Sequence, residues 1–274
     1  IKFECVKSDT KCQENYYKNL INRNDLTYAL KDLDERNKNG SINLCHNLSH
    51  SIGVFAYKKY GGDVSKLFNS NALYICASGY LHGTLKEAGV MKDRKFIEES
   101  VKYICNQEKS MQMCFHGVGH AFFNAKMSVK EGMETCFEMA NKYSFKVREI
   151  IEYQCSTGYA MEQQFHISDS NKPVVSTDMV DQICTVSSNK MCIIAFIRNV
   201  LANKALSENE ILKRSKSMEL YCKRIEERYY KLCQNQIGAA ITDLFYNNPT
   251  PKELADKINK ICKSDGCVEG AVSM

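Results

Sequence analysis

The chain has 274 residues, of which 44% are hydrophobic, so it can bury a sizeable core and is not disordered as a whole. Lys and Arg number 37 against 32 Asp and Glu, and a formal charge of +5 without basic blocks argues against nucleic-acid binding. Three prolines, 14 glycines and no tryptophan leave few turn-formers for a many-stranded β-protein, so we expect an all-α fold.

The 14 cysteines are the most informative count in the composition. An even number at this frequency is typical of proteins from an oxidising compartment, where cysteines pair as disulfides. No stretch approaches the roughly 20 apolar residues that a transmembrane helix needs, and the sequence begins at Ile1 without an initiator Met. We therefore predict a secreted or cell-surface protein with no transmembrane segment, whose signal segment has been removed.

The spacing of the cysteines predicts a helical repeat. Intervals of 29 or 30 residues recur along the chain: Cys76–Cys105, Cys155–Cys184, Cys192–Cys222 and Cys233–Cys262. A second spacing, of about 40 residues, separates the successive cysteines Cys76, Cys114, Cys155, Cys192 and Cys233. Such periods are typical of stacked helix pairs. The sequence therefore predicts a disulfide-stapled helical-repeat solenoid.

Three segments are expected in chain order. Residues 1–44 form an N-terminal cap segment, and residues 45–166 form His-rich helical repeats. Residues 167–274 form C-terminal repeats that serve as scaffold or assembly surface. Helical spacing of apolar residues is clear at 94–105 and again at 254–262, where they recur on one face at a period of 3.6.

Disulfide pairing between neighbouring cysteines gives the shortest bridges. In each predicted unit one cysteine ends the second helix and another opens the first helix of the next unit. Sequential pairing then uses all 14 cysteines, although other pairings stay open at this stage. The predicted bridges are Cys5–Cys12, Cys45–Cys76, Cys105–Cys114, Cys136–Cys155, Cys184–Cys192, Cys222–Cys233 and Cys262–Cys267.

One unit carries a family resemblance. Between Cys76 and Cys114 lie a Gly-Tyr-Leu-His-Gly segment at 79–83, a Gly-Val-Met-Lys-Asp segment at 89–93 and a predicted helix that ends in Cys105. This unit resembles a disulfide-linked Sel1-like repeat of the tetratricopeptide-like class. The resemblance covers about half of the chain, because later units keep only the cysteine spacing. It implies a helical-repeat fold and says nothing about chemistry.

The histidines are concentrated in the middle segment. All six lie between positions 46 and 166, and most stand beside a cysteine that opens a predicted helix. Residues four apart share one face of a helix, so two His-x-x-x-His pairs can each present two imidazoles to one ion. Equivalent positions of successive repeats line one surface, so we expect these side chains to converge. The predicted metal ligands are His46, His50, His82, His116, His120, His166, Met161 and Glu162.

Glycines interrupt the same predicted helices. They stand at positions 79, 83, 117, 119 and 158. Each costs roughly 1 kcal/mol relative to alanine in a helix interior. Close helix packing and ligand access both explain this cost.

Copper is the favoured metal, with zinc or iron as alternatives. Imidazole suits all three, and a thioether such as Met161 shifts the preference toward copper. Covalent c-type haem is not expected, because the Cys-x-x-Cys-His motif is absent. Two arrangements of the ions stay open. A single ion can take four ligands from the two His-x-x-x-His pairs, or two ions can divide the six histidines into the sets His46, His50, His82 and His116, His120, His166. The second arrangement resembles the dicopper ligand set of the hemocyanin and tyrosinase class.

The predicted function is extracellular metal binding with redox or oxygen chemistry. One alternative is an interaction module or filament subunit whose histidines hold a structural metal, because stacked repeats expose faces that bind proteins. Another is a zinc-dependent hydrolase, which would need an open coordination position and a carboxylate base such as Glu87 or Glu162. The expected partner is a second copy of the chain or another extracellular protein.

Overall fold

The helices follow one another without β-strands in the part of the chain that the structure describes. This computed structural model describes residues 3–23, 25–42, 45–68, 75–106, 111–169, 194–197, 201, 207–245 and 251–272, apart from the side chains of 163–169, 243–245 and 251. The predicted all-α class is confirmed for these residues. The helices are α1 (Thr10–Asn22), α2 (Leu26–Lys38), α3 (Cys45–Tyr60), α4 (Val64–Leu67), α5 (Gly79–Val90), α6 (Arg94–Ser100, continued by the π-helical turn Val101–Cys105), α7 (Met111–Asn124), α8 (Val129–Ala140), α9 (Phe145–Asp169), α10 (Glu208–Cys222), α11 (Glu227–Phe245), α12 (Pro251–Ile261) and α13 (Asp265–Val272).

Polar side chains mark the start of several helices. Asp9, Asp25 and Asp93 each accept a hydrogen bond from the backbone N–H three residues later, at 2.9–3.1 Å. At α10, Ser207 and Glu210 form a reciprocal capping box. Each cap satisfies a backbone donor that the helix leaves unpaired, which stabilises the helix by about 1 kcal/mol. Short sequence signals thus fix these boundaries.

The chain divides into two compact units, Ile1–Ser128 and Val129–Met274. In the first, α1 packs against α3, α3 against α5 and α5 against α7, so these helices form a row with α5 between α3 and α7. Helix α5 is buried almost all round, in keeping with this position. In the second unit, α8 packs against α9 and α11 against α13. The row in the first unit carries the histidines.

Glycines let the helices of the row approach closely. A Cβ atom on Gly83 of α5 would collide with the backbone carbonyl oxygen of His50 on α3. A Cβ atom on Gly53 of α3 would collide in the same way with the carbonyl oxygen of Tyr80 on α5. Only glycine allows two backbones to lie this near to each other. Close helix packing, one of the two explanations for the helical glycines, is therefore confirmed at Gly83.

The described disulfides follow the predicted sequential scheme. Each joins Cα atoms 5.1–5.7 Å apart, within the usual range for a disulfide. No cysteine in the described residues is free. The predicted bridge Cys184–Cys192 lies outside the described residues. The confirmed bridges are Cys5–Cys12, Cys45–Cys76, Cys105–Cys114, Cys136–Cys155, Cys222–Cys233 and Cys262–Cys267.

The helix predicted at 94–105 corresponds to α6 and its π-helical continuation, and the helix predicted at 254–262 corresponds to α12. The boundary between the compact units, after Ser128, falls inside the predicted His-rich segment 45–166. The three-segment division therefore stays a prediction. Among the described helices, none is both long and apolar enough to cross a membrane.

Candidate metal centre

Five histidines from three neighbouring helices lie together in the first unit. Two stand on the first turns of α3, one on α5 and two on α7. They are His46, His50, His82, His116 and His120. The two ring centroids are 4.7 Å apart in the pair on α3 and 4.8 Å apart in the pair on α7, as expected for residues four apart on a helix. The row of helices thus brings both His-x-x-x-His pairs to one place.

His82 lies at the centre of this cluster. Its ring centroid is 5.0–5.5 Å from those of the other four histidines. The pairs on α3 and α7 approach each other directly through His50 and His120, with ring centroids 5.7 Å apart. Helix α5 therefore inserts one imidazole between the two pairs.

Hydrogen bonds orient two of the rings. Nδ1 of His46 lies 2.7 Å from the backbone carbonyl oxygen of Cys76, which can only accept, so Nδ1 carries the proton. The lone pair of the neutral ring is then on Nε2, which lies 3.0 Å from Nε2 of His50. A metal-bound histidine commonly donates its other N–H to a backbone carbonyl in this way. His46 is thus held with Nε2 toward the cluster.

A hydrogen bond to a backbone carbonyl also orients His82, but through its other ring nitrogen, Nε2. Its Nε2 lies 3.0 Å from the backbone carbonyl oxygen of Met113, so Nε2 carries the proton and donates. Its Nδ1 is buried and has no hydrogen-bond partner among the described residues. Burial, followed by the four neighbouring imidazoles, holds the pKa of His82 well below 6.5. His82 is therefore a neutral ring with a buried lone pair, which is the form that binds a metal ion.

Two groups of three histidines can each hold a metal ion. The first is His46, His50 and His82, and the second is His82, His116 and His120. The ligand nitrogens of each group lie within 4.8 Å of one another. Metal–nitrogen bonds of about 2.0–2.1 Å place the ligands of one ion at most about 4 Å apart. Movements of less than about 1 Å would close either group around an ion.

The cluster combines buried and half-buried rings. His82 and His120 are buried, with 0% and 1% of their surface exposed, whereas His46, His50 and His116 are half-buried. The half-buried rings leave a route for an ion to enter.

The other predicted ligands are not part of these two groups. Met161 and Glu162 lie on α9 in the second unit, where Met161 is half-buried and Glu162 is buried. His166 belongs to the same helix, but its side chain lies outside the described residues. Their assignment as ligands stays a prediction. Glu87, which the sequence offered as a catalytic base, is 6% exposed. Its carboxylate forms an ion pair with the Lys58 ammonium group at 3.2 Å.

Sequence reasoning did not identify the carbonyl groups that orient the rings. Cys76 could have been found, because its predicted bridge to Cys45 places it beside His46. Met113 carries no such signal, since its carbonyl reaches His82 only through the packing of α7 against α5. The bridges Cys45–Cys76 and Cys105–Cys114 tie the helix starts that carry the cluster.

Comparisons of the chain with protein-family models, with curated proteins and with solved structures find no significant match.

Proposed function

We propose that the protein binds a transition-metal ion through the five clustered histidines. The observation that carries this proposal is the buried Nδ1 of His82, which has no hydrogen-bond partner among the described residues. It belongs to a ring whose centroid lies 5.0–5.5 Å from those of four other imidazoles. A buried polar atom without a partner costs about 1–3 kcal/mol. A metal ion at this position would remove that cost.

Copper is the preferred ion in this proposal. The described cysteines are all in disulfides, so no thiolate among them is left to compete for the metal. The ligands in the cluster are then imidazoles, which bind copper, zinc and iron, and of these divalent ions Cu²⁺ binds most tightly to a given nitrogen site. The disulfides also support an oxidising, extracellular setting, where redox or oxygen chemistry of copper is accessible.

We also propose that the helix pairs stack as a helical-repeat solenoid. The pair α11 and α13 supports this, because it repeats the reciprocal glycine contacts of α3 and α5. A Cβ atom on Gly238 would collide with the carbonyl oxygen of Cys267, and one on Gly270 would collide with that of Asn235. Two helix pairs whose helices carry a cysteine in their first two turns or just before them, and which share this contact, are the pattern of a repeated unit.

Metal analysis tests the proposed function. The disulfide-intact chain is purified without chelator, its metal content is measured by mass spectrometry, and the metal-free chain is then titrated with Cu²⁺. We expect stoichiometric uptake, and loss of uptake in His82→Ala. The control Phe122→Ala removes a buried ring from α7 without removing a ligand atom and should keep the metal. A chain that takes up none of Cu²⁺, Zn²⁺ or Fe²⁺ would overturn the proposal.

A structural metal in an interaction module is the second candidate. Its support is that the ligands come from three helices, so an ion would cross-link them and contribute to folding. Circular dichroism and sedimentation of the metal-free chain separate the two candidates. If the metal-free chain keeps its helices and its oligomeric state, the site is functional; if it unfolds or dissociates, the site is structural.

A further inference from the structure

The two candidate metal-binding groups meet at one side chain. His46 and His50 form a group with His82, and His116 and His120 form a group with the same residue. The two groups therefore cannot be treated as independent sites. Their joint behaviour depends on how many ions His82 can bind.

His82 can serve only one group at a time. Its Nε2 proton is donated to the carbonyl oxygen of Met113 at 3.0 Å, so Nδ1 alone offers a lone pair. One imidazole lone pair binds one metal ion. An ion held on the α3 side therefore prevents His82 from holding a second ion on the α7 side.

We propose, building on the metal-binding function above, that the cluster binds one ion per chain in either of two overlapping three-imidazole positions that share His82. The rings of His50 and His120 lie 5.7 Å apart, so the two positions adjoin. An ion can exchange His46 and His50 for His116 and His120 while it stays bound to His82. The ion is then a cargo that moves between two positions, and the protein is a metal carrier.

The exposure of the rings fits passage of an ion through the cluster. His46 and His50 are half-buried at one end, and His116 is half-buried at the other. His82 and His120, between them, are buried. An ion that enters at the α3 end can therefore reach the α7 end without leaving the cluster.

Two single variants and their combination test this proposal. His50→Ala leaves the group on α5 and α7 complete, and His116→Ala leaves the group on α3 and α5 complete. In the double variant the remaining histidines include no complete group. Both replaced side chains are half-buried, which limits the effect on the core. Circular dichroism verifies that each variant keeps its helices, and calorimetric titration with Cu²⁺ gives stoichiometry and affinity.

We expect the wild-type chain to bind one Cu²⁺ ion. Each single variant should also bind one ion. If the two positions bind equally well, each variant loses about twofold in affinity; if they differ, the variant that loses the tighter position loses more, up to about tenfold, and the other loses less. The affinity of the double variant for Cu²⁺ should fall about 100-fold or more. Even the loss of a group that only hydrogen-bonds to a metal ligand lowers metal affinity about 10–100-fold. The electron paramagnetic resonance spectrum of the wild-type copper complex should be a sum of the spectra of the two single variants.

Any other outcome overturns the proposal and indicates a different arrangement of the site. Two ions in the wild-type chain would show two independent sites. Loss of binding in one single variant alone would show one fixed position, and a loss of about 100-fold in both would show one site that needs all the ligands. A wild-type chain that binds no Cu²⁺ would instead overturn the metal-binding function itself.

Discussion

Gly83→Ala is the most direct test of the link between helix packing and the metal centre. The added Cβ would lie 2.7 Å from both the carbonyl carbon and the Cα of His50, and closer still to its oxygen. Carbon atoms in contact are usually about 3.5–4.0 Å apart, so α3 and α5 would have to separate by about 1 Å. The obstacle is backbone, so it cannot move aside as the end of a flexible side chain can.

The expected magnitude follows from two opposing terms. Alanine gains about 1 kcal/mol of helix propensity over glycine. Overpacking a close contact costs about 1–3 kcal/mol, and a clash with backbone belongs at the upper end of that range. We therefore expect the free energy of unfolding to fall by about 1–2 kcal/mol. Metal–ligand distances tolerate only about 0.2 Å, so the group on α3 and α5 should no longer close around an ion, whereas the group on α5 and α7 stays complete. Copper affinity should therefore fall about as much as in His50→Ala, by up to about tenfold, or about 1.4 kcal/mol.

Denaturant unfolding with the disulfides intact gives the first quantity, and calorimetric titration with Cu²⁺ gives the second. The matched control is Gly132→Ala on α8, whose Cβ would meet ring carbons of Tyr159 at 2.5 and 2.7 Å. A ring can shift where a backbone cannot, so this variant should keep its copper affinity and most of its stability. If Gly83→Ala matched the wild-type protein in both measurements, the packing argument would be refuted.

Three further predictions concern stability. Replacing Cys45 and Cys76 with alanine opens a bridge across 31 residues and should lower the free energy of unfolding by about 3–4 kcal/mol in the chain-entropy account; an unchanged denaturant midpoint would contradict it. In the metal-free chain, burial lowers the pKa of His82 in the folded state. Below pH 6.5 the side chain is therefore protonated in the unfolded state but stays neutral in the folded state. Stability should therefore fall by up to about 1.4 kcal/mol per pH unit as the pH drops below 6.5, and a His82→Gln chain with the same pH slope would refute this. Asp93→Ala removes the N-cap of α6 and the acceptor of the Tyr57 hydroxyl at 2.7 Å, so thermal unfolding should show a loss of about 1–2 kcal/mol, against about 1 for Tyr57→Phe. Equal losses in these two variants would exclude the cap as the main contribution.

The features that the sequence predicted correctly are local. The described disulfides span 5 to 31 residues, so pairing of neighbours followed from spacing alone. The helix at 94–105 followed from the 3.6-residue spacing of its apolar residues, a pattern within one helix. The boundary after Ser128 depends on contacts between distant segments. Spacing of cysteines contains no information about such contacts.

The histidine cluster was predictable to the same degree. Helical spacing identified the pairs His46/His50 and His116/His120, because each pair depends on one helix only. The central position of His82 depends on how α5 packs between its neighbours, and the state of its ring depends on a carbonyl group 31 residues away. Both are properties of the assembled row of helices, so no local pattern encodes them.

The helix pair α11 and α13 shows that this packing does not need histidine. It makes the same reciprocal glycine contacts as α3 and α5, although the described part of that pair contains no histidine. Counted from the cysteine of each helix, Asn235 and Ala239 of α11 occupy the positions that His116 and His120 occupy in α7.

Transferring these two residues to α7 should therefore preserve the fold. For His116→Asn combined with His120→Ala, we expect unchanged helix content. The free energy of unfolding of the metal-free chain should change by less than about 2 kcal/mol, as for an ordinary core substitution. Circular dichroism and denaturant unfolding measure both quantities. Collapse of the metal-free variant would show that the imidazoles support the packing themselves, whereas retention of the fold means that the first unit carries them for the metal.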